Sequence, residues 1–135
     1  MIEAHAQAVV GLLTAAITSP RKVFLGKVDP PVTDLKATPY VLVRFSLAPP
    51  DLSFRGVTHV YAVRFTCFCV GASETAAMQM ADLAEAALQD VTPAVAGRAC
   101  YPIRFEDSAE QPPDEATGAT VASQVRVYLL RSVPA

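Results

Sequence analysis

Apolar residues recur at helical spacing in two stretches of the chain. Near the N-terminus they return every three or four positions, from Ile2 through Val9 to Ile17. This spacing predicts an amphipathic helix, with one buried side, that ends before Pro20. The second stretch follows Ser73, whose hydroxyl can cap a helix. Its predicted inner positions are Ala77, Met80, Ala84, Ala87, Leu88 and Val91.

Elsewhere the apolar residues alternate with polar ones at a period of two, which is typical of half-buried strands. The pattern predicts strands at residues 22–28, 40–47, 57–70, 99–105 and 120–132. In the last strand we expect the core side to hold Val121, Val125, Val127 and Leu129. The order of helix, strands, helix and strands predicts a single α+β domain over residues 1–135. We expect a mostly antiparallel sheet of about four to five strands, with two helices packed on one face.

The composition favours self-association and excludes several classes of function. Hydrophobic residues make up 52% of the chain and charged residues 18%, which suggests that partners cover part of the surface. The net charge of -2 does not suit a dedicated nucleic-acid binder. No apolar run reaches the ~20 residues of a membrane span, and the N-terminus lacks the pattern of a signal peptide. We therefore expect a cytoplasmic protein with no membrane partner.

Cys67 and Cys69 stand two residues apart in a predicted strand, so they share one face and could bind a soft metal. The available neighbours are unsuitable, because Cys100 alternates to the other face of its own strand and His59 lies far along the first one. The pair also lies in the middle of an apolar run. We therefore expect no metal site and interpret both thiols as core residues, since free cysteine packs like a small hydrophobic side chain.

The chain also lacks a recognisable catalytic constellation. A serine or cysteine nucleophile needs a nearby base, and the two histidines, His5 and His59, stand beside no nucleophile motif. The six glycines are scattered singly and form no phosphate-binding loop. We therefore expect no catalytic residue and no cofactor.

A run of carboxylates follows the strand predicted at residues 99–105. Their spacing does not match a calcium loop, which also needs a central glycine. We expect this segment to be an acidic loop that faces solvent or a partner. Its acidic residues are Glu106, Asp107, Glu110, Asp114 and Glu115.

Arginines stand at positions that face away from the core in several predicted strands. If these strands form one sheet, its exposed face carries a cationic stripe mixed with aliphatic and aromatic residues. That composition is typical of a subunit interface; the alternative is that the arginines extend over a solvated face. The candidate interface residues are Arg44, Arg64, Phe68, Arg104, Arg126 and Tyr128.

Four segments, taken in order, resemble the tail terminator proteins of long-tailed bacteriophages, also called tail completion or tail-to-head joining proteins. They are the N-terminal helix, TPYVLVRF at residues 38–45, VGASETAAMQMADLAEAALQD at residues 70–90 and VAGRACYPIRF at residues 95–105. The resemblance covers nearly the whole chain. It depends on the order and pattern of the segments rather than on an invariant motif.

The resemblance implies an α+β fold and a hexameric ring that caps the tail tube, joins the tail to the head connector and lets double-stranded DNA pass. The implied partners are further copies of the chain, the major tail tube protein, a head-completion or connector protein, and DNA bound without sequence specificity. The family has no catalytic residues and no cofactor. Its members belong to the virion, at the head-tail junction, after assembly in the host cytoplasm.

Two expectations concern the contacts of such a ring. Arginines of the exposed face would pair with carboxylates of a neighbour's acidic loop, and loops at residues 29–38 and 48–56 would touch the tube or the connector. The charged residues of interest in those loops are Asp29, Asp34, Asp51 and Arg55. The alternatives are another phage neck protein, such as a head-closure protein, and a small ligand-binding α+β domain that uses the exposed sheet face as a pocket wall.

Overall fold

The part of the chain that the structure describes contains two helices and six strands. The computed structural model describes residues 2–28, 32, 34, 37–47, 60–111 and 122–135, with the backbone alone for residues 107–111. In chain order the elements are α1 (Ile2–Ala16), β1 (Lys22–Leu25), β2 (Tyr40–Leu47), β3 (Tyr61–Gly71), α2 (Glu74–Leu88), β4 (Arg98–Cys100), β5 (Arg104–Gln111) and β6 (Ala122–Pro134). No helix within these residues is long and apolar enough to cross a membrane.

The strands of the described residues form one mixed sheet. They lie in the order β1, β2, β3, β6, β4, and β5 also pairs with β6. β1 runs parallel to β2, and the other paired strands are antiparallel. The predicted α+β fold is therefore confirmed, with one parallel pair at an edge and six strands where fewer were expected.

The strand predicted at residues 99–105 is in fact two strands. β4 ends at Cys100 and β5 begins at Arg104. Pro102 lies between them and has no backbone N–H to donate to a ladder, which interrupts the strand. Both strands pair with β6, which has 13 residues and ends at Pro134. This long strand therefore has partners on both of its edges.

The acidic segment is a strand, not a loop, as far as Gln111. β5 pairs antiparallel with β6, with a bulge between Phe105 and Asp107. Pairing with β6 satisfies the backbone hydrogen-bonding groups on one edge of this segment, and this outweighs the low strand propensity of its acidic residues. The prediction of a loop is therefore wrong up to Gln111, and the rest of the segment lies outside the described residues.

Both helices pack on one face of the sheet, as predicted. Ser73 Oγ accepts a hydrogen bond from the Ala76 N–H at 3.2 Å and caps α2. Ile2, predicted on the buried side of α1, is exposed because it lies in the first turn, at the end of the helix. The helices and the sheet enclose a core of Val9, Leu13, Ile17, Val41, Val43, Phe65, Cys67, Cys69, Met80, Ala81, Ala84, Leu88, Ile103, Tyr128 and Leu130.

The face that β6 turns to the core differs from the prediction. Tyr128 and Leu130 are 0% exposed on the core face, whereas Val127 and Leu129 lie on the opposite face. In the antiparallel register Tyr128 lies opposite Phe65, and the two rings stack with centroids 5.5 Å apart. Both faces of β6 carry apolar residues, so alternation alone does not fix its orientation, and burial of the large tyrosine ring decides it. The predicted core side of this strand is therefore wrong.

Replacing Gly71 by alanine should destabilise the fold. Gly71 ends β3, just before α2, and a Cβ there would lie 2.7 Å from Ala76 Cβ and 2.8 Å from Ala77 N. The start of the helix would have to move away from the strand. We expect Gly71→Ala to lower the free energy of unfolding by about 1–3 kcal/mol, as measured by urea denaturation.

Gly11→Ala is the matched control for this substitution. Gly11 is exposed within α1, and a Cβ there would meet nothing within 4 Å. We expect Gly11→Ala to raise the free energy of unfolding by about 0.5–1 kcal/mol, because alanine loses less backbone entropy in a helix than glycine does. Equal stabilities of the two variants would contradict the close approach at Gly71.

Candidate interaction surface

The sheet has a second face, opposite the helices, which no described helix covers. Cross-strand pairs define it: Leu42 lies beside Phe68, and Phe68 lies beside Val125. We call this surface the outer face. Among the described residues it includes Lys22, Phe24, Tyr40, Leu42, Arg44, Ser46, Ala62, Arg64, Thr66, Phe68, Val70, Arg104, Ser123, Val125, Val127, Leu129 and Arg131. The outer face therefore mixes cations with aliphatic and aromatic side chains.

Several predicted interface residues lie together on the outer face. They are Arg44, Arg64, Phe68 and Arg104. Arg44 Nε donates a hydrogen bond to Gly26 O at 3.3 Å, and Arg104 forms an ion pair with Asp90. Their predicted position away from the core is confirmed, and their role in subunit contact stays a prediction.

Arg126 and Tyr128 do not belong to the outer face. Arg126 lies opposite Cys67 on the core face, and its guanidinium donates to Gln124 Oε1 at 3.1 Å. Tyr128 is fully buried beside Phe65, so a neighbouring subunit would not reach it. Burial raises the pKa of the Tyr128 phenol. The prediction that these two residues share the exposed face with the other arginines is therefore wrong.

A bidentate ion pair on the outer face joins Arg64 to Glu106. Arg64 Nε lies 2.6 Å from Glu106 Oε2, and Arg64 Nη2 lies 3.2 Å from Oε1. The hydrogen bonds from Arg64 lower the pKa of Glu106, and the same contact raises the pKa of Arg64. Arg64 thus pairs with a carboxylate of its own chain, where the sequence had suggested a carboxylate of a neighbour.

Sequence reasoning missed two cations of the outer face, Lys22 and Arg131. Lys22 lies beside Tyr40 at the start of β1, whose segment KVFLGKV has apolar residues at both parities, so that alternation assigns no face. Arg131 was missed because the predicted orientation of β6 was wrong. Since Tyr128 faces the core, the alternate residues Val125, Val127, Leu129 and Arg131 face outward. The charge of Arg131 also helps to lower the pKa of Glu106.

A cavity of about 390 Å³ opens at one edge of the outer face. Its lining consists of Val60, Tyr101, Pro102, Arg104, Leu129 and Arg131. Tyr101 is 52% exposed, so an aromatic ring stands at the surface beside two guanidinium groups. Tyrosine and arginine are enriched where proteins meet. This edge therefore suits contact with an acidic or apolar side chain of a partner.

The other predicted contact residues are only partly described. Asp34 is exposed, and its Oδ1 accepts a hydrogen bond from the Ala37 N–H at 3.4 Å. Asp107 and Glu110 lie in β5, where the backbone alone is described. The remainder lie outside the described residues: Asp29, Asp51, Arg55, Asp114 and Glu115. Contacts of all these residues with a partner stay predictions.

Cys67 and Cys69 are fully buried in the core, as predicted. Burial raises the pKa of Cys69 to about 12 and the pKa of Cys67 well above its ordinary value. Both are therefore neutral thiols near pH 7, and neutral thiols are poor nucleophiles and poor metal ligands. Among the described residues, no group of three His, Cys, Asp or Glu side chains is placed to hold a metal ion; His59 lies outside them.

Sequence reasoning also missed a buried polar contact between α1 and β6. His5 Nε2 lies 2.7 Å from Ser132 Oγ, and both residues are fully buried. Arg98 Nε donates to the same Oγ at 3.1 Å, and Arg98 Nη2 donates to Ser132 O at 2.8 Å. The contact therefore links α1 to the sheet at a site that is sealed from solvent. His5 stands four positions before Val9 on the buried side of α1, a spacing that predicts its burial.

Comparison with known proteins establishes the fold of the chain. No protein-family model matches the sequence, and no curated protein is significantly similar to it. The structure is similar to a chain from the virion of a native gene transfer agent particle, with a TM-score of 0.58 and 15% identity, over 96% of this chain and 91% of that chain. A second solved structure, whose name states no function, has a TM-score of 0.58 and 17% identity, over 99% of this chain and 92% of that chain. At these identities the similarity shows a shared fold.

Ser132→Ala should lower the free energy of unfolding by about 1–3 kcal/mol, because His5 Nε2 loses this hydrogen-bond partner in a buried site. Urea denaturation followed by circular dichroism measures the change. Ser46→Ala is the control, since its exposed hydroxyl donates a long hydrogen bond of 3.4 Å to Arg64 O, and we expect a change within about 0.5 kcal/mol. A Ser132→Ala protein as stable as the control would show that the contact does not fasten α1.

The free energy of unfolding should also fall as the pH rises above about 9. The ordinary pKa of a cysteine thiol is 9.0, whereas the folded pKa of Cys69 is about 12. A group with a raised folded pKa contributes its full stability below the unfolded pKa and loses it as the pH approaches the folded pKa. Urea denaturation at about pH 7 and about pH 10 measures the loss, which reaches at most roughly 1.4 kcal/mol per pH unit for each thiol.

The Cys67→Ala/Cys69→Ala variant isolates the thiols in that experiment. We expect it to be less stable near pH 7 by about 1–2 kcal/mol, because buried volume is lost. It should nevertheless lose less stability than the parent protein between the two pH values. Tyrosines titrate in both proteins, and only Tyr128, whose pKa is raised by burial and partly by Cys67 and Cys69, changes with the substitution. Parallel pH profiles would rule out thiol ionisation as the cause.

Proposed function

We propose that this chain is a structural subunit of a phage-like virion, and that its copies form a ring that caps the tail tube and joins the tail to the head connector. The observation that carries the proposal is the fold shared with a chain of a gene transfer agent virion, over 96% of this chain and 91% of that chain. The shared fold therefore extends over nearly the whole length of both chains. The four segments that resemble tail terminator proteins, in the same order along the chain, support the more specific role of capping the tail tube and joining it to the head connector.

The outer face supports the ring. Its half-buried Leu42, Phe68 and Val127 leave apolar area that no described helix covers. Arginines stand among these residues, and a mixture of aromatic, aliphatic and arginine side chains is what a subunit interface needs. The hydrophobic fraction of 52% also favours self-association of the chain. Copies of the chain are therefore the proposed first partners, in the hexamer that the resemblance implies.

The charge of the chain suits a channel through which DNA moves. The net charge is -2, and Arg64 and Arg104 already pair with carboxylates of the same chain. A strongly cationic channel would hold phosphates through counterion release, whereas a nearly neutral one lets the duplex slide. The proposed place is the head-tail junction of the virion, between the tail tube protein and the head connector. This role needs neither a catalytic residue nor a cofactor.

Two other roles make different predictions. A head-closure protein is a neighbouring neck protein of the same class, and it would bind the head side of the junction rather than the tail tube. A small ligand-binding domain would instead use the cavity beside Tyr101, Arg104 and Arg131. Binding partners therefore separate these roles from that of a tail terminator.

The purified protein should form closed sixfold rings. Size-exclusion chromatography with light scattering measures the mass, and negative-stain electron microscopy shows whether the opening admits duplex DNA. A chain that stays monomeric at the highest soluble concentration would contradict the ring.

Rings that sediment with tail tubes and not with tailless heads support the role of tail terminator. Rings that sediment with tailless heads and not with tail tubes support the role of head-closure protein. A small molecule retained in native mass spectrometry of a monomer would favour the ligand-binding domain.

A further inference from the structure

Charge is divided between the two sides of the subunit. The helices contain no lysine or arginine, and their acidic residues are Glu3, Glu74, Asp82 and Glu85. The outer face carries Lys22, Arg44, Arg64, Arg104 and Arg131. Glu106 and Asp90 pair with Arg64 and Arg104, whereas Lys22 and Arg44 form no ion pair with a described residue. A net charge of only -2 thus conceals an acidic helix side and a basic outer face.

The acidic groups of α2 lie in a line. Glu74, Met78, Asp82 and Glu85 are exposed, and their spacing of four, four and three residues places them along one side of the helix. We call these four residues the acidic stripe. Asp82 and Glu85 are like charges three residues apart, a spacing at which they repel and weaken an isolated helix. A cationic surface lying against the stripe would remove that penalty.

The acidic stripe also offers apolar area. Met78 is 43% exposed in the middle of it, and a methionine side chain adapts readily to an irregular partner surface. Arg21 stands beside Asp82 at a shallow cavity to one side of α2, so one cation accompanies the carboxylates there. The stripe remains net negative, with an exposed thioether at its centre.

We propose that the acidic stripe of one copy binds the outer face of the next copy. The inference rests on the proposed ring and specifies its contact. The carboxylates meet Lys22 and Arg44, whose cations form no ion pair with a described residue. Met78 meets the apolar residues that stand between the cations of the outer face. Opposite charges then lie on the two sides of each contact, and both surfaces bury apolar area.

The distribution of charge favours this head-to-tail contact over a twofold-symmetric contact. A twofold dimer puts the same patch of both subunits together, so two outer faces would bring cation against cation. Two acidic stripes would bring carboxylate against carboxylate. Like charges across an interface cost several kcal/mol. A head-to-tail contact avoids both arrangements, and contacts of this kind build rings when the rotation between copies closes.

Two variants with equal and opposite charge changes test the contact. The stripe variant is Asp82→Lys/Glu85→Lys, and the face variant is Lys22→Glu/Arg44→Glu. These four side chains are exposed, so circular dichroism should show the parent fold in both variants. We expect the apparent dissociation constant between copies to rise at least about tenfold for each variant alone, which corresponds to about 1.4 kcal/mol. Size-exclusion chromatography with light scattering at low ionic strength measures the change.

Mixing the two variants should restore assembly. The carboxylates of the face variant then meet the lysines of the stripe variant, and the unchanged patches of both proteins also meet with opposite charge. The restored assemblies should contain the two variants in equal numbers by native mass spectrometry, because only an alternating order matches every contact. Restored assembly would not follow if the two patches lay in different contacts.

Glu3→Lys/Gln7→Lys/Thr14→Lys is the matched control. It changes the net charge as much as the stripe variant does, at exposed positions of α1, and should assemble like the parent protein. Loss of assembly in this control, unchanged assembly of the single variants, or no rescue on mixing would each overturn the contact and leave the ring standing. A parent protein that stays monomeric would instead overturn the ring itself.

Discussion

The antiparallel pairing of β3 with β6 decides how the rest of the subunit is arranged. Its register places Tyr128 opposite Phe65, and the stack of their rings fixes which face of the sheet is the core. Both helices bury their apolar sides against that face. β4 and β5 then pair with the other edge of β6, and the cations of β2, β3 and β6 remain on the outer face. This aromatic contact therefore decides which side of the sheet is the interior and which side is the outer face.

Patterns that depend on near neighbours in the sequence predicted their elements correctly. Helical spacing and the Ser73 cap located α2, because both signals act within one or two turns of a helix. The alternation of Val41 and Val43 with Arg44 fixed the face of β2, since only one of its sides is apolar enough to bury. For the same reason the burial of Cys67 and the outward position of Arg64 followed from β3 alone.

Features decided by distant partners did not follow from the sequence. β6 is apolar on both sides, so its orientation depends on the contact between Tyr128 and Phe65 of β3. Because the predicted orientation was wrong, Arg126 was assigned to the outer face and Arg131 to the core. Likewise, the acidic residues of β5 predicted a loop until pairing with β6 supplied backbone partners. The candidate surface was therefore predicted in its β2 and β3 parts and missed in its β6 part. The intrachain partner of Arg64, Glu106, became visible only with the fold.

The hydrogen bond between His5 and Ser132 joins residues 127 positions apart. This separation decides when, during synthesis of the chain, the contact can form. Translation delivers α1 first and β6 last, so α1 has no final anchor until nearly every strand exists. Closing a loop of that length costs entropy that only the completed sheet offsets. An unfinished or C-terminally truncated chain would thus lack both a sealed core and an ordered outer face.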